Sequence, residues 1–158
     1  SIWKIKGWMV VIFMLSFFWL TGHQVPPENR QVKKLVSELR EVQHDQCPMV
    51  ICPYYFDLNV LYYWDNDLFK EWGSQNYNES QIKESLAVKG IYAVADSAEL
   101  SQILSNQYPA EFVYLDASAD FSVPGNGLKE WFSKRYHLTS EHEIPEKFVI
   151  RTYVQEMP

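Results

Sequence analysis

The chain has 158 residues, with 14 Lys and Arg against 20 Asp and Glu and a formal net charge of −6. Every acidic residue, and every basic one except Lys4 and Lys6, follows residue 23. That acidic bulk excludes a charge-driven attraction to nucleic acid or to anionic lipid.

The first element is an uncharged apolar run, Gly7 to Gly22 (GWMVVIFMLSFFWLTG). As a helix it rises about 24 Å, short of the ~30 Å hydrocarbon core. Counting from Ile2 lengthens it, because Lys4 and Lys6 can snorkel to the headgroups. Val10, Val11, Ile12, Phe13, Leu15, Phe17, Phe18 and Leu20 together favour insertion by roughly 2 to 5 kcal/mol. Trp8 and Trp19 suit an interfacial belt. The run predicts a transmembrane helix over residues 1–25 with a short cytoplasmic flank. The lysines precede it, which puts residues 26–158 on the extracytoplasmic side of the cell (inner) membrane. A cleaved signal peptide and a buried helix are the competing readings. Leu20-Thr21-Gly22 is a poor cleavage site, and a start at Ser1 rather than Met suggests a fragment, the last span of a longer membrane protein with its tail.

Residues 26–158 have the length of one domain and can bury about two thirds of their unfolded surface. Pro26-Pro27 reads as a stiff linker. Asn29 to Asp45 has helical spacing, with Val32, Leu35, Val36, Leu39 and Val42 on one face. Cys47 to Cys52 is a short apolar strand stopped by Pro53. Asp57 is placed to cap a short helix through about Trp64, with Leu58, Leu61 and Tyr62 inward. Asn78 with Gln81 predicts a capping box for a helix through about Val88, ended by Gly90. Ile91 to Ala95 is the next strand. Asp96 with Glu99 caps a helix whose inner face is Leu100, Ile103 and Leu104. Glu111 to Leu115 is a strand, and Asn126 caps a helix carrying Leu128, Trp131, Phe132 and Tyr136. His137 to Ile144 and Glu146 to Val154 read as two closing strands joined near Pro145. Helices alternating with short apolar strands predict a three-layer, Rossmann-like α/β domain. Its sheet is expected to be mostly parallel with a C-terminal antiparallel edge, preceded by the transmembrane helix.

Cys47 and Cys52 lie five apart, on opposite faces of a strand and about 16 Å from each other, too far to bridge. They read as core thiols. Asn78-Glu79-Ser80 is a glycosylation sequon that matters only in a eukaryotic secretory pathway. The loops after the strands are acidic and lack the glycines of GxGxxG or a P-loop, which argues against a dinucleotide and implies no cofactor. Asp57, Asp96 and Asp116 would meet at the carboxyl edge of a parallel sheet and could hold a sugar hydroxyl or a cation; capping of helices is the other account of Asp57 and Asp96. The histidines His23, His44, His137 and His142 show no metal-ligand spacing, and no nucleophile elbow occurs. No catalytic or metal residue is assigned.

The aromatic cluster from Tyr54 to Tyr77 is interleaved with Asp57, Asn59, Asp65 and Asp67. Aromatic faces beside carboxylates and amides suit sugar rings or a lipid headgroup interface. Tyr62, Tyr63 and Trp64 cannot all point inward on one helix. The candidate substrate-binding set is therefore Asp57, Tyr62, Tyr63, Trp64 and Asp65, with core packing as the alternative.

The order of features is also familiar. An apolar span ending in Trp19-Leu20 is followed by Pro27-Glu28-Asn29-Arg30, an amphipathic helix, a strand ending Val50-Ile51-Cys52-Pro53, and an aromatic segment with Tyr62-Tyr63. Nearly the whole chain resembles the C-terminal region of bacterial membrane glycosyltransferases of the dolichyl-phosphate-mannose–protein mannosyltransferase type, which include the lipid A aminoarabinose transferases. The resemblance implies multi-span enzymes that move a sugar from a polyprenyl-phosphate carrier to an acceptor outside the cytoplasm. It implies as partners the lipid bilayer, an upstream membrane part of the same protein and a polyprenyl-phosphate sugar or glycan acceptor, with no nucleic acid. The catalytic carboxylate of such enzymes lies in their first external loop. No catalytic residue is therefore carried onto this chain. A single-pass anchored glycan- or protein-binding module is the alternative, and a free-standing hydrolase is a third reading.

Overall fold

The protein is described here by a computed structural model covering residues 27–43, 47–75, 77–105, 108–144 and 148–155. The span expected at Gly7 to Gly22 lies outside the described residues. Among the described residues no helix is long and apolar enough to cross a membrane.

Helix α1 (Pro27–Val42) precedes strand β1 (Met49–Cys52), and a 3-10 turn (Tyr54–Phe56) leads into α2 (Asp57–Trp64), α3 (Asn66–Gln75) and α4 (Glu79–Val88). Strand β2 (Ile91–Ala93), α5 (Ser97–Leu104), β3 (Glu111–Ala117), α6 (Ala119–Ser122), α7 (Leu128–Ser133), β4 (Tyr136–Ile144) and β5 (Phe148–Gln155) complete the order.

The five strands form one sheet in the order β2-β1-β3-β5-β4. Strand alternation sends successive side chains to opposite faces, and each face has its own core. On one face Met49, Ile51, Val113, Leu115 and Ile150 meet Leu35 and Leu39 of α1, Val60 and Leu61 of α2, Trp72 of α3 and Leu86 of α4. On the other, Val50, Cys52, Phe112, Tyr114 and Tyr153 meet Leu100 and Leu104 of α5 and Leu128, Trp131 and Phe132 of α7. The Phe132 and Tyr153 rings stack at 4.4 Å. Trp131 donates its indole N–H to the Ser101 hydroxyl at 2.7 Å, which ties α7 to α5. Cys47 and Cys52 fall in different cores, both as free thiols.

The sheet corrects the expected fold class. It is mixed and mostly antiparallel, not a mostly parallel Rossmann-like sheet. β1 pairs in parallel with β2 over three residues and with β3 over four. The antiparallel ladders are longer: seven aligned residues between β3 and β5, and eight between β5 and β4. The closing pair does form an antiparallel flank with β4 at the rim, as expected, but it carries the longer ladders of the sheet. β5 enters the sheet between β3 and β4, which its sequence allows because Ile150 packs into one core and Tyr153 into the other. Periodicity identifies a strand and its faces, but not its neighbours.

Local phase also departs from expectation in α2. Its inward stripe is Asp57, Val60, Leu61 and, partly, Trp64, at i, i+3, i+4 and i+7. Leu58 and Tyr62 therefore face solvent, at 42% and 48% exposure. Ile103 is likewise part exposed, while Leu100 and Leu104 are buried. Tyr136 opens β4 instead of extending α7. Helix α3 was not expected. Asp65 starts it, accepting the Leu68 N–H at 3.0 Å.

Candidate functional site

The parallel strands β1, β2 and β3 end on one edge of the sheet. The chain leaves β1 toward α2, on the first core's face, and leaves β2 and β3 toward α5 and α6, on the second. Neighbouring connections that diverge in this way open the crevice where α/β sheets usually bind ligands. The predicted carboxylates reach this edge but divide between the two faces.

Asp57 lies on the first face, buried, with its Oδ1 accepting the Leu58 N–H at 2.5 Å. Burial pushes its carboxyl from 3.8 up to about 6, against the pull of the Leu58 N–H and the Lys83 charge. Lys83 of α4 pairs with Glu99 at 2.8 Å and Glu79 at 3.4 Å, and its ammonium sits 4.4 Å from the centre of the Tyr54 ring. Burial lowers the Lys83 pKa, but hydrogen bonds and charge from Glu99 and Glu79 outweigh it and leave the group raised.

The second face holds the other two carboxylates, each already occupied. Asp96 accepts the Ala98 and Glu99 N–H groups at 2.9 and 2.8 Å and so caps α5. Asp116 accepts the Ala119 N–H at 2.8 Å, pairs with Arg151 at 2.9 Å, and has Lys129 at 3.5 Å. Asp120 is held by Lys129 and by the Asn126 amide. The Cys52 thiol points at the Ala95 carbonyl at 3.5 Å. Burial, then the charges of Asp116, Asp120, Asp96 and Glu99, push it up to about 12. Among the described residues no His, Cys, Asp and Glu group could hold a metal ion.

The remaining candidates sit on α2 and at its exit. Tyr55, Leu58 and Tyr62 repeat at helical spacing and are about half exposed. The Tyr62 ring is held edge-on by Tyr63 at 4.8 Å and by Phe69 of α3 at 5.3 Å. Asn59 and Asn66 are exposed beside it, and Asn66 donates to the Tyr62 carbonyl at 3.2 Å. Tyr63 and Trp64 instead pack against the first core. The Arg40 guanidinium lies 5.6 Å from the centre of the Trp64 ring and donates to the Tyr63 and Trp64 carbonyls at 3.0 and 2.8 Å. Asp65 pairs with Lys89 at 2.5 Å, and that bond holds its carboxyl below the usual range.

Beside the exposed stripe runs a groove of about 330 Å³ lined by Leu58, Phe69, Trp72, Gly73, Tyr77 and Ile82. Among the described residues the buried Trp72 indole N–H has no hydrogen-bond partner. The structure thus brings Tyr62 and Tyr63 into ring contact, and seats Trp64 under Arg40 and Asp65 against Lys89. Asp57 belongs to a separate polar group with Lys83 and Glu79. Sequence reasoning missed Lys83, although its i, i+4 spacing from Glu79 was visible. It also missed Arg151, whose partner Asp116 lies 35 residues away. The chain matches no family model, no curated protein and no solved structure.

Proposed function

We propose that this chain is a non-catalytic, extracytoplasmic, saccharide-facing domain of a membrane glycosyltransferase that uses a polyprenyl-phosphate sugar. The observation that carries the reading is the Tyr62 platform. A half-exposed ring is fixed between Tyr63 and Phe69 with exposed amides at Asn59 and Asn66. An immobilised aromatic face costs little entropy to dock, and neighbouring amides suit the hydroxyl edge of a sugar. The uncharged run Gly7 to Gly22 and the order of motifs after it support the membrane context. A non-catalytic role is supported by Asp96 and Asp116, which are engaged as a helix cap and an ion pair.

Two measurements test this. On a glycan array, the full chain in a non-ionic detergent should bind saccharide and Tyr62→Ala should abolish the signal; equal binding by the variant removes the platform from the function. An antibody against residues 26–158 should detect, in source-cell membranes, a band several-fold larger than 18.6 kDa. A band near that mass sinks the glycosyltransferase reading and leaves an anchored binding module.

A further inference from the structure

The groove beside the aromatic stripe has no charged group in its lining. Leu58 of α2, Phe69, Trp72 and Gly73 of α3, Tyr77, and Ile82 of α4 surround about 330 Å³. That volume lies at the lower end for small-molecule sites and suits one sugar ring with a short substituent.

Two of its features are out of place in a surface that only packs. Trp72 forms one wall and is 4% exposed. Among the described residues its indole N–H has no acceptor, whereas a buried indole usually finds one. Gly73 follows it inside α3, where glycine weakens a helix. Its backbone is not left-handed, and a methyl group added there would meet no atom within 4 Å. No neighbour therefore requires the glycine, and its effect is to keep the groove clear. The groove also continues the Tyr62 platform, because Phe69 lines it and holds the Tyr62 ring at 5.3 Å.

We propose that the groove takes the acyl group of an N-acylated sugar stacked on Tyr62. The acyl carbonyl accepts from the Trp72 indole N–H, and Leu58, Phe69 and Ile82 cover the alkyl end. This rests on the saccharide-facing reading of Tyr62 and adds the class of sugar. A donor that lacks an acceptor, set in an uncharged apolar lining, is complemented by a group that accepts without donating. A carbonyl with an alkyl end is such a group. A sugar hydroxyl brings a donor of its own, and an ammonium brings a charge with no counter-charge in the lining. The N–H is out of water's reach as the side chains stand, so the carbonyl gains it through a rotamer change among the lining residues, a common adjustment at binding sites.

The test uses the full chain in a polyoxyethylene detergent, which carries no sugar, with isotope-labelled tryptophan read by nuclear magnetic resonance. The Trp72 indole signal is identified by its loss in Trp72→Phe. Methyl glycosides of N-acetylglucosamine, glucose and glucosamine are titrated in turn. The acylated glycoside should move the Trp72 signal saturably, and the other two should bind at least about tenfold more weakly. Gly73→Leu fills the groove from an exposed helical position and should lose that preference while keeping the native circular dichroism. A Trp72 signal that stays in place at saturation, or a preference intact in Gly73→Leu, overturns the proposal. All three glycosides bound alike, and all lost in Tyr62→Ala, overturn the acyl site and leave the platform standing. An acylated glycoside that moves the Trp72 signal equally in Tyr62→Ala supports the groove and removes the platform. No binding of any glycoside overturns both.

Discussion

Asp57→Asn should stabilise the protein at neutral pH and leave it unchanged in acid. In the fold this carboxyl titrates near 6 rather than 3.8, chiefly because it is buried. One unit is worth about 1.4 kcal/mol, so the ionised form costs the fold about 3 kcal/mol. The native state binds this proton more tightly than the unfolded state. The stability it contributes is complete below about pH 4 and is lost as pH rises through about 6. Asparagine keeps an oxygen for the Leu58 N–H, and the contribution of that bond to the charged form is already contained in the net shift. The expectation is a gain of up to about 3 kcal/mol near pH 8 and almost none near pH 4. Urea unfolding of the full chain in detergent, followed by near-ultraviolet circular dichroism, measures both. Equal effects at the two pH values, or a loss near pH 8, would refute the claim that desolvation controls Asp57.

Other outcomes follow from the same geometry. Arg151→Met strands the buried Asp116 carboxylate and should cost about 3 kcal/mol in unfolding free energy, part of it offset by Lys129. Tyr62→Ala should cost about 1 kcal/mol, the worth of its ring contacts with Tyr63 and Phe69, and leave the fold intact because the ring lies outside the core. Trp64→Ala should cost about 2 kcal/mol or more in the same melt, since it removes both core packing and the Arg40 contact. Cys47 and Cys52, pushed by burial to about 11 and 12, should resist iodoacetamide at neutral pH and react fully once unfolded in urea. Rapid labelling of the native chain would show that one thiol is accessible.

Short-range features were the legible ones. Asn78 and Gln81 form the capping box that their spacing predicts, with the Gln81 N–H bound to the Asn78 side chain at 3.0 Å and the reciprocal bond at 2.9 Å. The two cysteines divide between the two cores as their spacing requires. Gly90 ends α4 with φ at 73°, a conformation open to glycine. Features that depend on distant residues were not legible. Val149 to Val154 alternates as any strand would, and nothing in that alternation says that β5 lies against β3. The phase of α2 was misread for a related reason. Leu58 and Tyr62 look like core residues by type, but Val60 and Leu61 take the core positions and carry Asp57 inward with them, beside Lys83 and Glu79 of α4. The Asp116–Arg151 pair joins β3 to β5 and follows from the same unforeseen neighbourhood. The carboxylates of the candidate site were visible by name, but the partners that occupy them were not.

The position of β5 bears on the order in which the molecule is assembled. Ribosomes deliver the chain from its N-terminus, so β2, β1 and β3 are available to pair while β4 and β5 are still to come. β4 has no ladder to those strands except through β5. Once synthesised it waits, with its many exposed polar side chains in water, for β5, its sequence neighbour, whose ladder with it begins at Ile144 and Phe148. The sheet is then completed where β5 docks its other side on β3, the one ladder that joins the closing pair to the earlier strands. A Glu- and His-rich β4 is suited to that wait, because it remains soluble while unpaired.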